Sequence, residues 1–167
     1  MNNEKESRSM SNRSLAGIST LQRREIQAPV MVRLLEALIA EIGYERAMAV
    51  ASAAIQADAF QVGQAMAEKY AGNTIEHLLR LFKEEWAAED ALELSILEQT
   101  GEILRFDVTR CRYAEMYERL GLKEFGFCLS CNRDFSLIKG FNPRLKLIRT
   151  RTIMQGDRSC DFKIVTE

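Results

Sequence analysis

The chain has 167 residues, 47% apolar and 28% charged, with 23 basic against 24 acidic side chains and a formal net charge of −1. That length suits one domain whose core needs no disulfide, and the near-neutral balance supplies no field to draw in nucleic acid or an anionic membrane. The opening residues, rich in Ser, Asn, Arg and Glu, lack the apolar run of a signal peptide or a membrane span. A cytoplasmic protein with no nucleic-acid or membrane partner is expected, with a mobile tail over 1–24 and a single domain over 25–167.

From Pro29 onward, Val30, Leu34, Leu35, Leu38, Ile39 and Ile42 recur mostly at three and four residue steps. This is the spacing of an amphipathic helix, with Pro29 suited to its first turn and Gly43 to its end. A second helix is expected from about Glu45 to Tyr70, where Ala47, Ala49, Ala51, Ala53, Ala54 and Ala57 let neighbours approach closely. Thr74 and Glu76 open a third, carrying Leu78, Leu79, Leu81, Phe82 and Trp86. Together these make a helical half over 25–88.

The period then changes to two. Leu92, Leu94 and Ile96 alternate with Glu93 and Ser95, and Phe106 and Val108 alternate with Arg105, Asp107 and Thr109 beyond the turn Gln99-Thr100-Gly101-Glu102. Arg112 to Leu120 reads as a short helix stopped by Gly121, and Glu124 to about Ile138 as another. Gly140-Phe141-Asn142-Pro143 reads as a turn. After it Leu145, Leu147 and Arg149 share one strand face, and Cys160, Phe162 and Ile164 share a face of the last strand, with Gln155-Gly156-Asp157-Arg158 turning between them. The expected fold is α+β: N-terminal helices, then a roughly four-stranded antiparallel sheet over 89–167 with two short helices between its hairpins.

All four cysteines lie in the second half. In a reducing compartment they are thiols, ligands or nucleophiles rather than bridges. Cys160 begins an alternating strand, which directs it inward with Phe162 and Ile164. It is either a small core hydrophobe or a nucleophile activated by Arg149, Arg151 or Arg158. Cys128 and Cys131 have the C-x-x-C spacing of half a zinc site, but Cys111 and Cys160 are single and distant, so no metal ligands are assigned and zinc stays an alternative. Asp134, one turn after Cys131, is a general acid or base, or else a solvated carboxylate paired with Arg133 or Lys139. His77, the sole histidine, lies far from every cysteine and is expected at the surface. In the basic run Arg144, Lys146, Arg149 and Arg151, only Arg149 is in line with Leu145 and Leu147, so it is the one able to turn inward and grip a carboxylate.

The ordered segments Arg110-Cys111-Arg112-Tyr113-Ala114-Glu115-Met116-Tyr117, Leu120-Gly121-Leu122, Cys131-x-x-Asp134, Gly140-Phe141-Asn142-Pro143, Arg149-Thr150-x-Thr152 and Gly156-Asp157-x-x-Cys160-Asp161-Phe162 resemble the L-2-amino-thiazoline-4-carboxylic acid hydrolase family, over about Glu93 to Ile164. The resemblance implies an enzyme that opens a thiazoline ring on the route to L-cysteine, acting on a carbon–nitrogen bond of a cyclic amidine. Such an enzyme must activate water or a thiolate against the amidine carbon, assist the leaving atom and hold the substrate carboxylate. Under it, Cys111, Cys131 and Cys160 become candidate nucleophiles or acids, and Asp134 either activates water or stabilises the protonated amidine. Arg149 becomes the carboxylate anchor, with Asn142 and Asp157 as further substrate-binding residues. The implied partner is a small-molecule substrate; apart from the resemblance, no cofactor is expected, with zinc as the alternative, and a homodimer is a further expectation. The alternative is a non-catalytic small-molecule or zinc-binding sensor built on the same cysteines.

Overall fold

The computed structural model describes residues 17–167. Its first helix, α1 (Thr20–Ile42), begins inside the expected tail because Ser19 and Gln22 form a reciprocal cap. Ser19 Oγ accepts from the Gln22 amide at 3.3 Å, and Gln22 Oε1 accepts from the Ser19 amide at 3.0 Å. This pairing satisfies two amides that a helix start otherwise leaves unbonded. Pro29 is therefore interior to α1, at an exposed position where water can take the carbonyl it frees. The rest of the expected tail, residues 1–16, lies outside the described residues.

Gly43, at φ 81°, breaks α1 from α2 (Tyr44–Lys69). Thr74 caps α3 (Ile75–Leu81), which runs on into a π-helical turn, Phe82–Trp86. β1 (Leu92–Gln99) and β2 (Ile103–Cys111) form the first hairpin and lead into α4 (Arg112–Arg119). The helix expected from Glu124 to Ile138 is divided: α5 (Lys123–Gly126), a π-helical turn (Phe127–Cys131) and α6 (Arg133–Phe141). β3 (Leu145–Ile148) and β4 (Cys160–Thr166) complete an antiparallel sheet in the order β1-β2-β4-β3. Among the described residues, no helix is long and apolar enough to cross a membrane.

The expected strand alternation appears in the packing. Leu104, Phe106 and Val108 of β2, Leu145 and Leu147 of β3, and Cys160, Phe162 and Ile164 of β4 turn one sheet face onto α2, α3 and α6. Phe106 stands opposite Phe162 in register, with ring centroids 4.7 Å apart and nearly parallel. Burying such a side chain contributes about 1.5–3 kcal/mol, so this face anchors the fold. A second cluster joins Leu21, Val32 and Leu35 of α1 to Tyr113, Met116 and Tyr117 of α4. Leu92, Cys111 and Ile153 touch both clusters, and the cavity described below opens along that seam.

Gly140 is not the start of a turn, because α6 continues to Phe141. A Cβ on Gly140 would stand 2.1 Å from the Phe60 carbonyl of α2, and one on Gly63 would stand 2.1 Å from the Leu137 carbonyl of α6. The two glycines let α2 and α6 touch backbone to backbone. One face of α1 stays uncovered, with Ile26, Val30 and Leu34 between 62% and 68% exposed at successive turns.

Candidate active site

The seam holds a cavity enclosing about 640 Å³ of empty space counted to its open mouth, and Cys111, Cys131, Asp134, Arg149 and Cys160 all line it. Each arrives from a different element end. Cys111 closes β2 and precedes α4, Cys131 ends the π-helical turn, and Asp134 sits in the first turn of α6. Arg149 follows β3, keeping the inward direction of Leu145 and Leu147, while Cys160 opens β4 opposite Val108. Sheet pairing brings the two hairpins together, and α6 packed on α2 lowers Asp134 onto their shared end.

The Arg149 side chain is 2% exposed and that of Asp134 16%. Arg149 donates through Nη1 to Asp134 Oδ2 and through Nη2 to the Cys131 carbonyl, the latter at 3.0 Å. Its guanidinium also lies 5.0 Å from the Phe135 ring centroid and 5.1 Å from that of Phe162, a setting that favours a partly desolvated cation. The carboxylate it holds is thus the protein's own. Burial pushes the Asp134 carboxyl up to about 6, although the Arg149 cation pulls the other way. Asp134 Oδ1 makes no hydrogen bond among the described residues, so one oxygen stays available to a ligand or water.

The thiols are not activated. Burial pushes Cys111 up to about 11 against the pull of the Ala114 and Tyr113 amides. Burial also raises Cys131 well above its usual value and raises Cys160, whose sulfur accepts from the Ile153 amide at 3.3 Å. At neutral pH these are neutral thiols in an apolar wall. Cys128 turns the other way, onto Ser52 of α2, so the C-x-x-C pair diverges. Among the described residues, no three His, Cys, Asp or Glu side chains gather closely enough to hold a metal ion. His77 stands at the start of α3, its Nδ1 2.7 Å from Thr74 Oγ1, and does not line the cavity.

Two residues expected at the substrate lie elsewhere. Asn142 braces the chain after α6, accepting from the Arg144 amide and donating to the Asn73 carbonyl, each at 2.9 Å. Asp157 is exposed and accepts from the Thr152 amide at 3.0 Å, closing the β3–β4 connection. Asp161 does related work, taking the Thr150 and Arg151 amides at 2.9 and 2.8 Å and the Thr150 hydroxyl at 2.7 Å. That clamp immediately follows Arg149 and fixes where its backbone leaves the sheet. The acids of the Gly156-Asp157 and Cys160-Asp161 segments therefore bind backbone.

The cavity also has walls from residues not among the expected site residues. Arg24 and Thr20 come from α1, Trp86 from the first π-helical turn, Ser130 from the second and Tyr113 from α4. Arg133, named with Lys139 as the partner of a solvated Asp134, is instead buried and paired with Asp58 of α2 at 2.5 Å, and Asp134 pairs with Arg149. The Ser-Thr-Leu-Gln start signal at Ser19 was the available clue that Arg24 is helical.

The model of a family described as L-2-amino-thiazoline-4-carboxylic acid hydrolase matches residues 23–164. Among curated proteins, none matches the chain in sequence. Among solved structures, the chain is similar in fold to a trafficking protein particle complex subunit 3 from Naegleria fowleri, covalently bound to palmitic acid. The TM-score is 0.52 at 7% identity, over 85% of this chain and 96% of that one.

Proposed function

Because the chain belongs to the L-2-amino-thiazoline-4-carboxylic acid hydrolase family, we propose that its cavity hydrolyses a small cyclic amidine bearing a carboxylate, namely L-2-amino-thiazoline-4-carboxylic acid, and opens the ring towards L-cysteine. The observation that carries this reading is Asp134: a carboxyl in an apolar cavity, poised at about 6 and held by a buried cation. A general base works best when its pKa lies near the working pH. Above pH 6 the carboxylate takes a proton from water as the oxygen bonds to the amidine carbon, and the C=N electron pair moves onto nitrogen. The protonated Asp134 then returns that proton to the departing ring atom, while the remaining hydroxyl proton passes to the nitrogen that took the C=N pair as the C=O bond forms. Departure of nitrogen breaks the ring carbon–nitrogen bond and leaves a free amine with an S-carbamoyl group, whereas departure of sulfur would leave a ureido acid with a free thiol.

The raised thiols argue for water as the nucleophile, since a thiolate at Cys111, Cys131 or Cys160 carries the cost of charge in an apolar wall. Purified protein incubated with the substrate should yield a product heavier by one water, and a thiol assay on that product distinguishes the two bond cleavages. Absence of the hydrated product with well-folded protein would remove the reading. A second reading, a module that binds a ligand without converting it, draws on those same neutral thiols in the cavity wall. Saturable binding of the thiazoline acid without ring opening would favour it.

A further inference from the structure

Three arginines line the cavity, Arg24, Arg133 and Arg149, against a single acidic residue, Asp134. Two of the three are spoken for. Arg149 holds Asp134, and the Arg133 side chain, 7% exposed, holds Asp58. Arg24 differs: its Nη1 donates to the neutral side chain of Gln27 at 3.0 Å, and among the described residues no carboxylate lies within ion-pair distance of it. The lining thus carries one cation with no matching anion, half-buried on α1 one helical turn beyond Thr20.

We propose that Arg24 anchors the carboxylate of the small anionic ligand that occupies this cavity, with the Thr20 hydroxyl on the same face of α1 beside it. The inference rests on the reading of the cavity as the thiazoline-acid site and moves the anchoring role from Arg149 to Arg24. Arg149 already spends Nη1 on Asp134 and Nη2 on the Cys131 carbonyl, and with its side chain 2% exposed it offers a substrate carboxylate little of its fork. Dividing the work between the two arginines removes that competition: Arg149 positions the base and Arg24 positions the substrate. Burial and the neighbouring Arg133 charge lower the Arg24 guanidinium to about 10, and a bound anion offsets the Arg133 repulsion. A planar carboxylate also suits the fork of a guanidinium better than an ammonium.

Trp86 is the single tryptophan and lines the cavity, so its fluorescence reports binding directly. Wild type, Arg24→Gln and Arg24→Lys are titrated with L-2-amino-thiazoline-4-carboxylic acid and with 2-amino-thiazoline, which lacks the carboxylate. Arg24→Gln should weaken binding of the acid, and raise its KM, by about 10- to 100-fold, the worth of a hydrogen bond to a charged group. Affinity for 2-amino-thiazoline should stay within about 3-fold, and Arg24→Lys should recover part of the loss as a charge without the fork. Unchanged binding of the acid by folded Arg24→Gln, or equal losses for both ligands, would overturn the proposal. Should Arg24→Gln not fold, full affinity in Arg24→Met or equal losses for both ligands in Arg24→Lys would overturn it instead. Carboxylate-dependent binding without ring opening by wild type leaves the anchor standing and removes the hydrolase reading. Ring opening with an unchanged KM in Arg24→Gln does the reverse, and a wild type that binds neither compound removes both.

Discussion

Arg149 and Asp134 form an ion pair with side chains 2% and 16% exposed, reaching from the end of β3 to the first turn of α6. Both residues line the cavity, with the Cys131 carbonyl as a second acceptor for the same guanidinium. Such pairs give back in Coulomb attraction only part of what desolvation costs. Here the remainder falls on Asp134, and this sets the first expectation.

Asp134→Asn should remove one pH dependence of stability. The folded pKa of about 6 lies above the ordinary 3.8, so the native state binds the proton more tightly than the unfolded chain. Ionised Asp134 therefore costs stability above pH 6, and the cost fades as pH falls towards 4. In urea unfolding, the stability of wild type relative to Asp134→Asn should rise as pH falls from 6 to 4, on top of a constant offset from leaving the buried Arg149 cation without its anion. A difference between the two proteins that stays constant from pH 6 to pH 4 would show that Asp134 does not titrate in that range.

Removing the cation should move the acid limb of the pH profile. Arg149 pulls the Asp134 pKa down against the larger effect of burial, so Arg149→Met should shift the limb of kcat/KM from near pH 6 to higher pH, while Arg149→Lys should hold it nearer to wild type. A limb that stays in place in Arg149→Met would show that another group titrates.

The thiols should be slow. With Cys111 near 11 and Cys131 and Cys160 raised by burial, alkylation of native protein at pH 7 should lag far behind that of the urea-unfolded chain, since the thiolate is the reactive species. Cys160→Ala should keep activity within about 10-fold, well short of the 10⁴-fold or greater loss typical when a covalent nucleophile is removed. Fast alkylation of one cavity cysteine at pH 7, matched by loss of activity, would instead identify a nucleophile.

Gly140→Ala should destabilise by about 1–3 kcal/mol or more, the cost of overpacking, because the added carbon meets the Phe60 carbonyl at 2.1 Å. Gly63→Ala should do the same through the Leu137 carbonyl. Since α6 carries Asp134, both variants should lose activity at temperatures where they remain folded. A Tm unchanged in either would show that α2 and α6 can part at no cost.

The fold was legible where periodicity is strong. The alternation at Phe106 and Val108 and at Cys160, Phe162 and Ile164 marked the sheet face that packs on the helices. Arg149 was legible as inward because it is in phase with Leu145 and Leu147, and that phase persists beyond the last β3 residue. What Arg149 grips was not legible, since its carboxylate partner is on α6 and no local pattern encodes that approach. The same holds for Gly140, where a helix-packing glycine and a turn glycine look alike in one dimension. Asp157 illustrates a third limit: it was expected at the substrate, and only geometry separates an acid that caps amides, as Asp157 and Asp161 do, from an acid that faces a cavity. Arg24 and Arg133 were missed because the helix start at Ser19 and the partner Asp58 lie far along the chain from the segments that carry the chemistry.

The central claim is that Asp134 drives hydrolytic ring opening in this cavity. The direct measurement is mass spectrometry of L-2-amino-thiazoline-4-carboxylic acid incubated with wild type and with Asp134→Asn at pH 7.5, both verified as folded. The expected result is a product heavier by one water with wild type and a rate lower by about 100-fold or more with Asp134→Asn, the contribution of a positioned general base. No hydrated product with wild type, or equal rates for the two proteins, would contradict it.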